Sequence, residues 1–218
     1  MSRPAPIVII GAGGHGRGIL EILLAEAQAT GSACPVVGFL DEDPSVAGSM
    51  RTGRPVLGGL DQIPRLVAAG HQFLLGVGDP RARREQASRI TVAGVVYARA
   101  VHPRATLYSD VVVGPGCVVA AGVAVAAATR LGEHTLLNLN ATVGHDCVLE
   151  AFATVGPGAN IGGHVHLGQA AFACLNATVL PGLTVGANSQ VGAGSVLLED
   201  LEPDRVAFGV PARVVSRL

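Results

Sequence analysis

Between Val101 and Leu197 an aliphatic side chain returns every six residues: Val101, Leu107, Val113, Val119, Val125, Leu131, and so on to Val185, Val191 and Leu197. Ala173 is the single small member of the series. A period of six fits neither an α-helix at 3.6 nor a simple strand alternation. It suits a parallel β-helix whose triangular coil takes three hexapeptides, so that residues eighteen apart stack about 4.8 Å from one another.

Sixteen hexapeptides leave roughly a hundred residues in front, so the 218-residue chain reads as two domains, 1–98 and 99–218. Thirty glycines and scarce aromatics suit thin coils that bury Val, Leu and Ala and turn on Gly and Asn. The formal net charge is −1, and all fifteen basic residues are arginines scattered along the chain, which excludes the electrostatic footprint of a nucleic-acid binder. Residues 111–129 carry no charge and are long enough for a membrane span, yet they contain Pro115 and three glycines and keep the hexad in phase, so they read as coil. Neither a signal peptide nor a membrane association is expected. Cys34, Cys117, Cys147 and Cys174 show no CxxC or zinc spacing, which points to a reducing cytoplasm and no metal.

The front hundred residues open with an apolar strand, Ile7 to Ile10, a GAGGHG loop from Gly11 to Gly16, and an amphipathic helix from Arg17 to Ala29. Gly11 and Gly13 permit a tight turn and close backbone approach, and the helix amino end offers N–H groups and positive dipole to a diphosphate. A second strand, Val36 to Leu40, ends at Asp41, where a carboxylate suits a ribose or a base. A helical stretch, Leu60 to Ala69, precedes a third strand, Phe73 to Val77. This is an α/β Rossmann-like half domain with room for about four strands, which fits a nucleotide diphosphate better than a whole dinucleotide. Arg17 is the candidate phosphate partner and His15 a candidate phosphate or substrate contact.

In the repeat, the first position of each hexad points inward, and the fifth is small for the same reason, as at Cys117, Ala141, Cys147, Ala153, Ser189 and Ser195. Third and fourth positions lie at or beside corners and face out. His145 is a third-position residue, and adding one coil places Gly163 over His145, His164 over Asp146, then Pro181 and Gly182. An imidazole beside a bare glycine N–H is what acyl transfer requires: the base takes a proton from the attacking group and the N–H stabilises the oxyanion. Asp146 is placed to hold the imidazole tautomer. Asn138, about one hexad earlier, is a candidate for the same cleft. His164 and His166 read as surface or interface residues, and His134 and His102 as exposed.

Taken together, GAGGHG, FLDED, the uninterrupted hexapeptide solenoid, NATVGHDCVLE, PGANIGGHVHLG and a terminal GVPAR resemble the sialic-acid-type and bacillosamine-type sugar O/N-acetyltransferases of the left-handed β-helix superfamily, across essentially the whole chain. The resemblance implies an all-β left-handed parallel β-helix behind the α/β half domain, and a homotrimer with active sites between subunits. It implies acetyl-CoA in an intersubunit groove and a nucleotide-linked amino sugar on the front domain. Carried onto this sequence, His145 is the base and Asp146 its acidic neighbour. Gly163 donates to the thioester oxygen, while Gly13, His15, Arg17 and Asp41 contact the nucleotide sugar, with Arg17 standing where many relatives carry lysine. Pro211 and Arg213, in the segment that breaks the hexad and caps the solenoid, are expected beside coenzyme A. Thr154 replaces a second histidine that contacts the acetyl group in some relatives.

The expected function is N-acetylation of a nucleotide-linked amino sugar by direct attack, with O-acetylation of a sugar hydroxyl as the alternative. Two readings from other classes are a non-catalytic sugar-nucleotide scaffold and a zinc hydro-lyase built on His145, His164 and His166. The histidine spacing does not resemble that of the zinc enzymes, and they leave the front domain unexplained.

Overall fold

The structure is a computed structural model that describes residues 5–217. It divides into two compact units, Met1–Pro103 and Arg104–Leu218. The expected boundary at 98/99 thus falls inside the first unit. The short strand Ala100–Val101, although it carries the first beat of the hexad, packs against the first helix.

In the first unit β1 (Ile7–Ile10) is the middle strand of a three-stranded parallel sheet, flanked by β2 (Val36–Leu40) and, beyond two short strands, by β5 (Gln72–Leu75). All four residues of β1 are buried, as a central parallel strand covered on both faces demands. Between β2 and β5 lie an antiparallel ribbon, β3 (Met50–Arg51) and β4 (Arg54–Pro55), and the short helix α2 (Ile63–Ala68). Isolated parallel bridges at Val56 and Tyr97 extend the sheet edges, so the expected four strands resolve into three and two bridges.

Helix α1 (Gly14–Thr30) starts three residues earlier than the sequence suggests, because Gly13 already serves as its N-cap. His15 and Gly16 therefore belong to its first turn. Gly16 is required by packing: a Cβ there would lie 1.9 Å from the Gly11 carbonyl oxygen. At its other end α1 closes on Gly31 in the left-handed conformation. The helix buries Ile19, Leu20, Ile22 and Leu23. A further helix that sequence reading missed, α3 (Pro80–Arg89), is capped by Asp79, whose carboxylate accepts from the N–H groups of Arg81 and Ala82 at 3.0 and 2.9 Å.

In the second unit each hexad contributes one two-residue strand, and strands eighteen residues apart pair in parallel. Three faces result. The first contains Val118–Val119, Leu136–Leu137, Thr154–Val155, Phe172–Ala173 and Gln190–Val191. The second runs from Thr106–Leu107 through Thr142–Val143 to Val196–Leu197. The third runs from Val112–Val113 through Val148–Leu149 to Thr184–Val185. First-position side chains fill the interior, with Leu131, Leu137, Leu149, Val155, Leu167 and Val191 at 0–2 % exposure. Residues 111–129 form three of these strands, and no helix among the described residues is long and apolar enough to cross a membrane.

Fifth positions turn inward as expected, and some of them also satisfy the backbone. Cys117, Thr129 and Cys147 donate to the carbonyls of Gly132, Gly144 and Gly162 at 3.0, 2.8 and 3.1 Å. A small polar side chain at this position supplies a donor to the second-position carbonyl of the hexad one coil on. The chain ends in an antiparallel hairpin, Arg205–Gly209 with Ala212–Arg217, which extends the first face beyond Gln190–Val191.

Candidate active site

Fourth positions of the hexads adopt the left-handed conformation at every corner around the site: φ is +56° at Ala128, +57° at Asp146 and +58° at His164. The preceding third-position residue sits at the turn. Its N–H faces away from the interstrand ladder, which is resumed by the fourth-position N–H, as where His164 donates to the His145 carbonyl at 2.8 Å. The N–H of Gly163 has no acceptor among the described residues.

On the edge joining the second and third faces this repeat stacks His145 under Gly163 and Asp146 under His164. Asp146 Oδ2 lies 2.7 Å from His145 Nδ1, so Nδ1–H donates to the carboxylate and Nε2 is turned away from it. The imidazole lies against Gly163: a Cβ on Gly163 would stand 2.8 Å from His145 Nε2. A basic nitrogen, an oriented carboxylate and an available backbone donor thus meet at one corner, with the histidine side chain 58 % exposed. Cys147, two residues on, is fully buried inside the coil, and burial pushes its thiol pKa up. No thiolate nucleophile is presented at this corner.

The other expected residues of this unit lie elsewhere. Asn138 occupies the corner between the first and second faces, where its Oδ1 accepts from the Leu139 N–H at 2.8 Å, so it does not share the His145 edge. Thr154 lies on the first face, opposite that edge, at 2 % exposure, with its hydroxyl 3.3 Å from the Phe152 carbonyl. Pro211 and Arg213 are exposed in the terminal hairpin, which also belongs to the first face. His166 pairs with Glu150 at 2.9 Å. His134, expected to be exposed, is 4 % exposed, because Phe152, eighteen residues on at the same corner, stacks over its ring with centroids 4.9 Å apart.

In the first unit the three parallel strands end together, and the segments after them converge. Gly11 N–H donates to Leu40 O at 2.7 Å, and Gly76 N–H to Ile10 O at 2.6 Å. Beside them opens a cleft of about 420 Å³ lined by Ala12, Gly13, Arg17, Asp41, Asp43, Val46 and Arg51. Crevices at the carboxyl ends of parallel strands are the usual ligand sites of such sheets. Gly13 has open space above it, so a ligand can approach the amino end of α1, whose glycine N-cap offers no side chain to its N–H groups. Asp41 is partly committed to structure, its Oδ2 accepting from Ala12 N–H at 2.8 Å and its Oδ1 from Asp43 N–H at 3.0 Å. Arg51 faces the cleft from the β3–β4 ribbon, a contribution no local motif announces.

His15 does not line that cleft. Its Nε2 is buried with no partner among the described residues, and burial, aided by the Arg83 guanidinium, lowers its pKa to about 4. Arg83 on α3 is itself 2 % exposed and donates to the carbonyls of Val77 and Gly78 at 3.0 and 2.9 Å. A neutral imidazole with an unused nitrogen in the first turn of α1 suits hydrogen bonding more than charge pairing.

Residues 6–90 match the family described as the PglD N-terminal domain. The whole chain superposes on a histidine-to-asparagine mutant of perosamine N-acetyltransferase from Caulobacter crescentus, solved in complex with CoA and GDP-perosamine. The TM-score is 0.88 at 35 % identity, over 97 % of each chain. The chain belongs to the hexapeptide-repeat sugar N-acetyltransferases. The acetyltransferase domain of PglB from Neisseria gonorrhoeae, in complex with acetyl coenzyme A, gives a TM-score of 0.86 at 30 % identity over 96 % of this chain and 98 % of that one. Galactoside O-acetyltransferase of Escherichia coli is 50 % identical over 38 residues, a match that spans 19 % of that protein's length. The solenoid is accordingly the left-handed β-helix of this sugar acetyltransferase family, preceded by its short α/β unit.

Proposed function

We propose that the protein transfers acetyl from acetyl-CoA to the amino group of a nucleotide-linked amino sugar, for surface polysaccharide or glycan synthesis in the cytoplasm, as a homotrimer with active sites between subunits. The observation that carries this reading is the corner where His145, held by Asp146, lies against Gly163. The sugar amine loses its proton to His145 Nε2 as it adds to the thioester carbonyl. The oxyanion accepts a hydrogen bond from Gly163 N–H, and coenzyme A leaves as thiolate. Burial of Cys147 argues for this direct attack over an acyl-cysteine intermediate.

The α1 amino end with Arg17 and Arg51 is suited to the diphosphate, and Asp41 to the ribose or base, in the cleft beside Gly13. Pro211 and Arg213 are assigned to coenzyme A, and Thr154 to the acetyl-binding side of the groove. Solved relatives holding CoA together with GDP-perosamine support a nucleotide sugar as acceptor.

The test is thiol release from acetyl-CoA across a panel of UDP- and GDP-linked amino sugars. Turnover with at least one is expected, and turnover with none overturns the reading. With an amine acceptor, His145→Ala should lower kcat by about 10²-fold, the low end of general-base effects, because a neutral amine is already nucleophilic. A loss nearer 10⁴-fold with a hydroxyl acceptor would instead mark an O-acetyltransferase. An unchanged kcat removes His145 from the base role.

A further inference from the structure

The corner that carries His145 holds one more side chain than acetyl transfer uses. His164, one coil above Asp146, turns its Nε2 to within 3.8 Å of the same Asp146 Oδ2 that lies 2.7 Å from His145 Nδ1. The two imidazoles stand perpendicular, 88° between planes, with centroids 4.9 Å apart. One ligand atom from each of His145, Asp146 and His164 falls within 4.8 Å of the others, and all three residues are exposed. The period places them there: Asp146 and His164 occupy the same left-handed corner of successive coils, so both side chains leave the backbone in the same direction.

We propose that this trio is an inhibitory site for a divalent transition metal ion, Zn²⁺ being the representative. Two imidazoles and one carboxylate are a donor set suited to such ions. A metal about 2.0–2.1 Å from each donor holds its ligands roughly 3.4 Å apart. The two histidine nitrogens lie 2.7 and 3.8 Å from the Asp146 carboxylate, on either side of that spacing, and all three donor atoms fall within 4.8 Å of one another, so shifts of about an ångström within exposed side chains separate this arrangement from a ligand set. His166 takes no part, being held by Glu150 at 2.9 Å.

Metal binding acts on the base through its tautomer. In the metal-free corner Nδ1–H donates to Asp146 and Nε2 carries the free pair. With the metal on Nδ1 the proton moves to Nε2, the ring stays neutral, and Nε2 no longer accepts a proton from the amine. Asp146 turns from orienting the ring to ligating the ion. The site itself stands on geometry; the inhibition rests on the base role proposed for His145.

Two measurements separate these parts. Titration of chelator-stripped full-length protein with Zn²⁺ alone, followed by calorimetry, should show one ion bound per chain. His164→Asn, which keeps a residue tolerant of the left-handed corner, should weaken binding at least as much as the roughly 10-fold loss typical of removing an outer-shell partner. His166→Gln should leave binding unchanged. In the thiol-release assay Zn²⁺ should inhibit the wild-type protein and EDTA should reverse it, while His164→Asn keeps metal-free turnover and resists the ion. No Zn²⁺ binding, or binding that His164→Asn leaves intact, overturns the site. Zn²⁺ bound at the trio without inhibition overturns the tautomer mechanism, and a protein that binds Zn²⁺ but acetylates nothing refutes the proposed function while leaving the site standing.

Discussion

At Gly163 the absence of a side chain does the positioning. Its backbone φ needs no glycine, yet a Cβ there would stand 2.8 Å from His145 Nε2 and 3.0 Å from Cε1, so alanine must displace the imidazole or be displaced by it. Gly163→Ala is expected to lower kcat by about 10-fold or more, since small misplacements of a catalytic group are costly. Its effect should largely vanish in a His145→Ala background. Steady-state kinetics of the two single variants and the double variant test this coupling, and additive losses would show that Gly163 acts independently of the ring. The stacking of these two residues was readable from the hexad alone, because an eighteen-residue coil fixes which residues share an edge. How far a side chain leans from its corner was not. His134 was read as exposed from its corner position, and its ring instead stacks on Phe152. Asn138 shows what the hexad count does fix: seven residues is about a third of a coil, which carries a residue to the next corner, and only multiples of eighteen return it to the same edge of one chain.

Helix α1 carries its chemistry in its first turn, where glycines let the chain pack too closely for most side chains. The motif announced the turn, but the lowered pKa of His15 comes from burial and from the Arg83 guanidinium on α3, a helix with little apolar periodicity whose one sequence cue is Asp79 followed by Pro80 at its start. That burial has a consequence for stability. The folded pKa of His15, about 4, lies below its ordinary value of 6.5, so the unfolded chain binds a proton more readily than the folded one. The stabilisation from keeping this imidazole neutral is present above pH 6.5 and is lost as pH falls from there toward 4. At about pH 5 the loss is about 2 kcal/mol. Urea unfolding of the wild type and of His15→Gln at about pH 7.5 and about pH 5 measures it. The drop in stability between the two pH values should be smaller in the variant by about that amount, and equal drops would show that His15 titrates normally in the folded protein.

Across the molecule, the faces of the solenoid separate what the proposed site must join. His145, Asp146 and Gly163 occupy the edge between the second and third faces, whereas Thr154 and the hairpin bearing Pro211 and Arg213 belong to the first face, across the triangle. Thr154 is nine residues from His145, half a coil, so no local rearrangement within one chain brings the two together. The proposed trimer answers this by building each site from the His145 edge of one subunit and the hairpin of the next, three sites to a ring. Native mass measurement should give three times 21.9 kDa. The sharper test is complementation. His145→Ala and Arg213→Glu proteins, each impaired alone, are co-expressed with different tags and the mixed trimers isolated. When base and coenzyme contact come from different subunits, each mixed trimer, whichever subunit it holds twice, has one of its three sites with both intact, about one third of the sites. When both come from the same chain, none is intact. Recovery of activity toward about a third of wild type assigns the site to the subunit interface, and no recovery confines it to a single solenoid, with Arg213 acting from a distance or not at all.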